Sequence, residues 1–253
     1  DSMTAVFLMN SKNILVRSNT INNSIYGVYP YYTQLLNITN NYISRTNYGI
    51  YFQYSDTAKA KYNIIYAPTN GIRLFYSKNI EISWNTIRYS GTGIYFYGSN
   101  YTVIANNTIR DNTNYGISID TESYNTTILG NCFVNNSAGN IFDDGNGSII
   151  DWNYWDDYTG NDADGDGIGD TPYDISATNS DKRPLMYPWW TDTYGPAIRA
   201  IYHVPDAPNE LEDVLIQVNV SDMNGLNKVI LSYYNGEKWN NITMVYNSSS
   251  GFW

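Results

Sequence analysis

The chain has 253 residues and a formal net charge of −10, from 14 Lys+Arg against 24 Asp+Glu. No basic face is evident, which excludes nucleic acid as a partner, and no apolar run approaches the roughly 18 residues of a membrane-spanning helix. The 26 Tyr and 7 Trp beside only 15% charged residues suit alternating strands with Asn-rich bends better than helices, because Asn, Tyr and Thr are mediocre helix formers. Cys132 is the single cysteine, so no intrachain disulfide can form.

In chain order the first signal is a repeat. Asn19, Asn41, Asn63, Asn85, Asn107, Asn131 and Asn153 recur at spacings of 22, with one of 24 between Asn107 and Asn131. Two positions after each stands a bulky apolar residue: Ile21, Ile43, Ile65, Ile87, Ile109, Phe133 and Trp155. Gly27, Gly49, Gly71, Gly93, Gly116 and Gly139 form a second column. Each unit reads as three short strands with one apolar row facing inward, and only stacking can bury that row. The pattern therefore predicts an all-β chain in which residues 1–155 form a right-handed parallel β-helix of about seven 22-residue coils, three strands per coil. The recurrent Asn is expected at a sharp bend in the left-handed region, bonding amide to amide along the rod. The Gly column is expected where the backbone needs positive φ or close approach.

One outward row follows the Gly column: Phe7, Tyr29, Tyr51, Arg73, Tyr95, Ser118 and Phe142. Neighbouring rings can stack, and Arg73 can lie on Tyr51 or Tyr95 as a cation–π partner. Tyr29, Tyr51, Arg73 and Tyr95 thus make either a glycan-carrying strip or a packing ladder between coils. Acids on the coils are few. Asp120 and Glu122 alternate as if on one strand, with Asp143 and Asp144 one coil later. The expectation from these residue types is that the chain is not an enzyme.

Residues 156–192 hold the acidic loop. Residues 151–192 contain 10 acids and 2 bases, against 8 acids and 9 bases in 1–150. Asp162, Asp164, Asp166 and Asp170 follow a D-x-D-x-D-G-x-G-D pattern in which alternate carboxylates converge on one hard cation. The loop is expected to close the rod and bind Ca²⁺, with the Ile168 carbonyl and Asp174 as further ligands. It is not an EF-hand, because Tyr173 stands where that loop needs a bidentate Glu.

The Asn-x-Ile and Gly columns, followed by NYW, DADGDGIGDTPYDI and PLM, resemble the NosD-like family of right-handed parallel β-helix proteins over about residues 10–188. The resemblance implies a β-helix on the cell surface or in the periplasm. It also brings in copper-enzyme accessory proteins, archaeal surface proteins with appended immunoglobulin-like domains, and carbohydrate-binding or sugar-cleaving relatives. The chain departs from a copper role, since its single His203 lies outside the helix and its five Met are scattered.

Residues 193–253 read as a partial immunoglobulin- or fibronectin-like β-sandwich, with strands at 198–203, 214–220, 228–234 and 241–246 and turns at Asp222–Gly225 and Asn235–Gly236. Both ends read as cut, so the chain is expected to be a piece of a longer protein. Ten N-x-[ST] sequons begin at Asn22, Asn37, Asn100, Asn106, Asn125, Asn135, Asn146, Asn219, Asn241 and Asn247 and point to an extracellular or cell-envelope glycoprotein. The expected role is structural or adhesive, as a calcium-stabilised surface-layer or filament component that pairs with its own copies or other surface proteins. The alternative is a polysaccharide-binding or polysaccharide-cleaving β-helix.

Overall fold

The computed structural model describes residues 2–177, 179–189, 196–205, 212–222, 226–235, 237–248 and 250–253. Every regular element among them is a strand. Three seven-stranded parallel sheets run the length of the repeat. Sheet A goes from Ser2–Met9 to Gly139–Asp143, sheet B from Leu15–Arg17 to Ile149–Asp151, and sheet C from Thr20–Ile21 to Tyr154–Trp155.

Each strand pairs with its own copies one coil away. Ile72 lies between Ile50 and Ile94 in sheet A, Ile82 between Ala60 and Ile104 in sheet B, and Ile87 between Ile65 and Ile109 in sheet C. These rows are fully buried, so the apolar columns of the sequence are the core of a parallel β-helix. The long coil splits its two extra residues. Ser90 N donates to Asn112 Oδ1 at a separation of 22, Ile94 pairs with Ile117, and Ser99 N donates to Ser123 Oγ at a separation of 24. One residue therefore enters before the strand Tyr115–Ile119 and one after it.

The Asn ladder forms, but not at left-handed residues. Asn63 donates from both N and Nδ2 to Asn85 Oδ1 at 2.9 Å, and its Nδ2 also donates to the Ile38 carbonyl at 2.9 Å. The positive φ falls one residue earlier, on Ser18, Asn40, Tyr62, Trp84, Asn106, Gly130 and Trp152, with φ of 56–65°. The expectation of left-handed ladder Asn is thus corrected. The amide must point inward to serve three partners, so the preceding residue takes the strained backbone and turns its side chain outward. A hydroxyl ladder the sequence reading missed runs parallel through Thr33, Ser55, Ser77, Ser99 and Ser123, each backbone N donating to the next Oγ at 2.9–3.4 Å.

The Gly column resolves to close approach. Gly27, Gly49, Gly71, Gly93 and Gly116 lie within sheet A strands or at their edge, and none has positive φ. A Cβ on any of them would fall 2.5–2.7 Å from a carbonyl oxygen of the next coil. Gly139 leaves the column: it pairs with Tyr115. Asn140 takes the place opposite Gly116 and receives the Asn136 amide at 3.0 Å.

The chain forms two compact units, Asp1–Gly160 with Thr171–Leu185, and Asn161–Asp170 with Met186–Trp253. In the first, the rod is closed by residues after the acidic loop, which corrects the expectation that the loop itself closes it. Tyr173 stacks on Trp155 at 4.4 Å, which stacks on Phe133 at 4.7 Å. Asp181 ends the Asn ladder. Its Oδ2 accepts from Asn153 N at 2.8 Å, Asn153 Nδ2 at 3.2 Å and Trp155 Nε1 at 3.0 Å, and its Oδ1 accepts from Trp152 N and Arg183 N at 3.0 Å. Burial pushes the Asp181 carboxyl above its ordinary range against the pull of these donors.

In the second unit, Ala197–Val204 pairs antiparallel with Leu215–Ser221, and Ile230–Tyr234 with Trp239–Thr243. Each of these strands overlaps one of the four alternating runs of residues 193–253. Residues 191–195, most of the Asp222–Gly225 turn and Gly236 lie outside the described residues.

Candidate functional site

The outward row of sheet A is continuous. Phe7 pairs with Tyr29, Arg73 with both Tyr51 and Tyr95, Tyr95 with Ser118, and Ser118 with Phe142. The Tyr29 and Tyr51 rings stack at 5.1 Å with only 5° between their planes. The sequence reading missed a second row, Tyr26 and Tyr48, which widens the strip. Tyr26 stacks on Tyr29 at 4.9 Å and on Tyr48 at 5.2 Å. The 22-residue spacing of Tyr26 and Tyr48 was the signal available. The Arg73 guanidinium carbon lies 5.2 Å from the Tyr51 ring centre, 5.3 Å from Tyr95 and 5.6 Å from Tyr48. The rings brace neighbouring coils face to face and leave a half-exposed row of ring edges that carry hydroxyls. Burial raises the Tyr29 and Tyr51 hydroxyls above their ordinary range, and Arg73 pulls Tyr51 partly back.

At the bend after sheet A stands a second column, also unread in the sequence. Tyr32, Tyr54 and Tyr76 have φ of 46–52° and exposed or half-exposed rings that stack at 4.9 and 5.9 Å. Gly98 takes the next place, and a Cβ there would lie 2.5 Å from the Tyr76 ring. Tyr76 donates to Glu122 Oε2 at 3.1 Å. This bond, with burial and Tyr97, pushes its hydroxyl to about 12. Tyr76 is therefore a protonated donor near neutral pH, and Glu122 is the acceptor.

Asp120 and Glu122 do not alternate on a strand as expected. The strand ends at Ile119, and the extra residue of the long coil puts both acids in the turn beyond it. Asp120 accepts from Gly98 N at 3.1 Å and from the Ser123 hydroxyl. Asp143 accepts from Gly145 N at 3.0 Å and Asn179 Nδ2 at 3.2 Å.

In the acidic loop, Asp162, Asp164 and Asp166 each bring a carboxylate oxygen within 4.8 Å of the others. Asp162 accepts from Gly165 N at 2.8 Å and Gly167 N at 2.9 Å, which folds the chain around its carboxylate. Gly165 and Gly167 have φ of 74° and 82°, as so tight a wrap requires. Asp166 is buried and accepts from Ile168 N at 2.9 Å and from the Ser221 hydroxyl. Asp170 accepts from Ala163 N at 2.7 Å. Asp174 is exposed on a short strand with Ser180, in the other compact unit. Of the sequon residues, Asn22, Asn37, Asn125, Asn135, Asn146, Asn241 and Asn247 are exposed, while Asn100, Asn106 and Asn219 are half-buried.

Residues 1–163 match the family described as "Periplasmic copper-binding protein (NosD)". The chain belongs to the NosD family. Solved structures similar to this NosD-family chain include a periplasmic alginate epimerase, 23% identical with a TM-score of 0.50, covering 55% of this chain and 36% of that one. Another is the enzymatically active domain of tailspike protein 2 of bacteriophage CBA120, 16% identical with a TM-score of 0.51, covering 72% of this chain and 29% of that one. A third is an alginate lyase from a Paenibacillus species, 14% identical with a TM-score of 0.46, covering 60% of this chain and 75% of that one. The chain spans about a third of the epimerase's length. At these identities the likeness is one of fold. No curated protein sequence matched the chain.

The expectation that the chain is not an enzyme is corrected, because the same fold is carried by a periplasmic alginate epimerase and by an enzymatically active tailspike domain. Sparse acids on a β-helix are no argument against chemistry there. The family's description names copper, whose soft sites need clustered Cys, Met or His. Among the described residues, Cys132 is fully buried in sheet C, Met3 and Met9 are exposed at opposite ends of one strand, and His203, Met186 and Met244 lie in the other unit at well-separated points of the sequence. These donors do not fit a copper centre, and no step is routed through one. The family's description is periplasmic, and no described helix is long and apolar enough to cross a membrane.

Proposed function

We propose that this NosD-family chain is a polysaccharide-acting protein of the cell envelope that holds its glycan along the outward aromatic face of sheet A. The observation that carries the reading is the stacked, near-parallel Tyr29–Tyr51 pair, widened by Tyr26 and Tyr48 and continued by Arg73 and Tyr95. A sugar lies across the row of apolar ring edges, and the hydroxyls along it reach the sugar's O–H groups. The enzymes that share this fold support the reading, as does the family's periplasmic description. The turn beyond Ile119 supplies the acid and base for any chemistry. Its carboxylates are Asp120 and Glu122, the second accepting from the Tyr76 hydroxyl.

Binding to a polysaccharide panel, together with product analysis, tests this. Tyr51→Ala and Tyr95→Ala are each expected to weaken binding by about tenfold, roughly the loss of one stacked ring contact, with folding unchanged by circular dichroism. Equal binding by both variants and the parent chain would remove the strip from the function.

We further propose that the Asp162–Asp170 loop binds Ca²⁺ through Asp162, Asp164 and Asp166, with the Ile168 carbonyl and Asp170 completing the shell. Three converging carboxylates and the two left-handed glycines support it. A ligand present at 100 times its Kd stabilises the native state by about 2.7 kcal/mol. Chelation is therefore expected to lower the melting temperature by several degrees, and Ca²⁺ to restore it. An Asp164→Asn chain is expected to lose that response. A melting curve indifferent to both chelator and Ca²⁺ would reject the site.

A further inference from the structure

Among the described cations of the β-helix, Lys12, Arg17, Arg45, Arg73 and Arg88 have no ion pair, and of these Arg73 and Arg88 lie on ring faces. Lys59 and Lys61 pair with Glu81, Lys78 with Asp56, Arg110 with Asp111, and Arg183 with Asp151. Arg88 Nη2 donates to the Tyr66 hydroxyl, although its Nε, like that of Arg73, is buried without a partner. Arg73, among the described residues, has no hydrogen bond and no ion pair, and its Nε is buried without a partner. Its guanidinium instead lies among the rings of Tyr48, Tyr51 and Tyr95 at 5.2–5.6 Å.

The surroundings leave that charge unneutralised. Arg73 is the one cation on the strands of sheet A, and Asp143 is the one acid. Asp143 lies three strands away, roughly 14 Å at ~4.8 Å per strand, and it already accepts from Gly145 and Asn179. On sheet B, by contrast, Asp56, Lys59, Lys61, Lys78 and Glu81 neutralise one another. Ring faces hold a guanidinium in place, but they do not satisfy its in-plane N–H groups. Those groups form a planar fork that matches a carboxylate with two parallel hydrogen bonds.

We infer that Arg73 reads the carboxylate of an acidic sugar, so that the aromatic strip selects polysaccharides built from uronic acids. The inference rests on the polysaccharide reading above and names its substrate class. A uronate unit lies across the half-exposed ring edges of Tyr51 and Tyr95 while its carboxylate meets the Arg73 fork between them. The net charge of −10 does not oppose this, because residues 1–150 hold 9 bases against 8 acids and the excess acid lies beyond them.

The test is isothermal titration of the full chain, Arg73→Gln, Arg73→Lys and Tyr51→Ala with four probes: polygalacturonate, its methyl ester, dextran and dextran sulfate. The expected result is preferential binding of polygalacturonate over its ester, lost by tenfold or more in Arg73→Gln and partly kept in Arg73→Lys. Tyr51→Ala is expected to weaken binding as well. Equal binding of polygalacturonate and its ester, lost in Tyr51→Ala but not in Arg73→Gln, would overturn the inference and leave the polysaccharide reading standing. Binding of dextran sulfate in place of polygalacturonate would overturn the carboxylate assignment. Binding of none of the four would sink both the inference and the reading.

Discussion

Asp181→Ala is expected to cost the β-helix about 3–5 kcal/mol, the range for removing one partner from a buried charged network. The deletion leaves three N–H groups without an acceptor, Asn153 N, Trp155 Nε1 and Arg183 N, while Trp152 N keeps Asp151 Oδ1 and Asn153 Nδ2 keeps the Ile128 and Asp151 carbonyls. Asn153 and Trp155 are buried, so their orphaned donors carry a desolvation cost that water does not relieve. The midpoint should fall by on the order of 10 °C in a thermal melt of this size of domain. Asp181→Asn is expected to cost less, because its amide oxygen can stand where each preceding Asn stands for the rung below. A pH signature separates the two forms. Burial raises the folded carboxyl above its ordinary 3.8. The folded state thus holds this proton more tightly than the unfolded chain does. The stability it contributes is complete below the ordinary value and is lost as pH rises through the raised one. In Asp181→Asn that component of the pH dependence disappears. Unfolding midpoints of Asp181→Ala within 1 kcal/mol of the parent (about the size of one net hydrogen bond) would show that the ladder needs no terminal acceptor.

Gly49→Ala is expected to destabilise by about 3 kcal/mol, at the upper end for overpacking a tight core. The added Cβ would sit 2.4 Å from Ile65 Cγ2 and 2.5 Å from the Gly71 carbonyl oxygen. The second of these is backbone, held by pairing between adjacent coils, so it cannot swing aside as a side-chain tip can. Relief requires sheet A to move away from sheet C or the register of two coils to loosen. Urea denaturation reads the cost directly. A Gly49→Ala chain as stable as the parent would mean that the coils can part at this point without loss.

The architecture was legible because a β-helix writes each contact into the sequence at one fixed interval. Ile43, Ile65 and Ile87 meet because they are one coil apart, and the same interval brings Tyr29 to Tyr51. Tyr26 and Tyr48, and the column Tyr32, Tyr54 and Tyr76, obeyed that interval too and could have been read from it. Asp120 and Glu122 were misplaced for the converse reason. An interval of 24 states that two residues are extra, but it does not state where they enter, and the alternation was carried past the strand end. The acidic loop showed its ligand spacing plainly, whereas the partners that shape it, such as Ser221 for Asp166, come from distant sequence without any repeat to announce them.

By itself, then, the sequence determined the coil length, the inward rows, the outward aromatic strip and the family, because local periodicity and stacking are the same fact in this fold. Only the tertiary structure decided three things. The left-handed angle passes to the residue before each ladder Asn, since one side chain cannot both face solvent at a bend and serve three buried partners. The rod is closed by Tyr173 and Asp181 rather than by the acidic loop, since the last rung needs an acceptor that no further coil provides. And Arg73 is left with rings but no carboxylate, since which charges find partners depends on the pairing of strands and not on their distance along the chain.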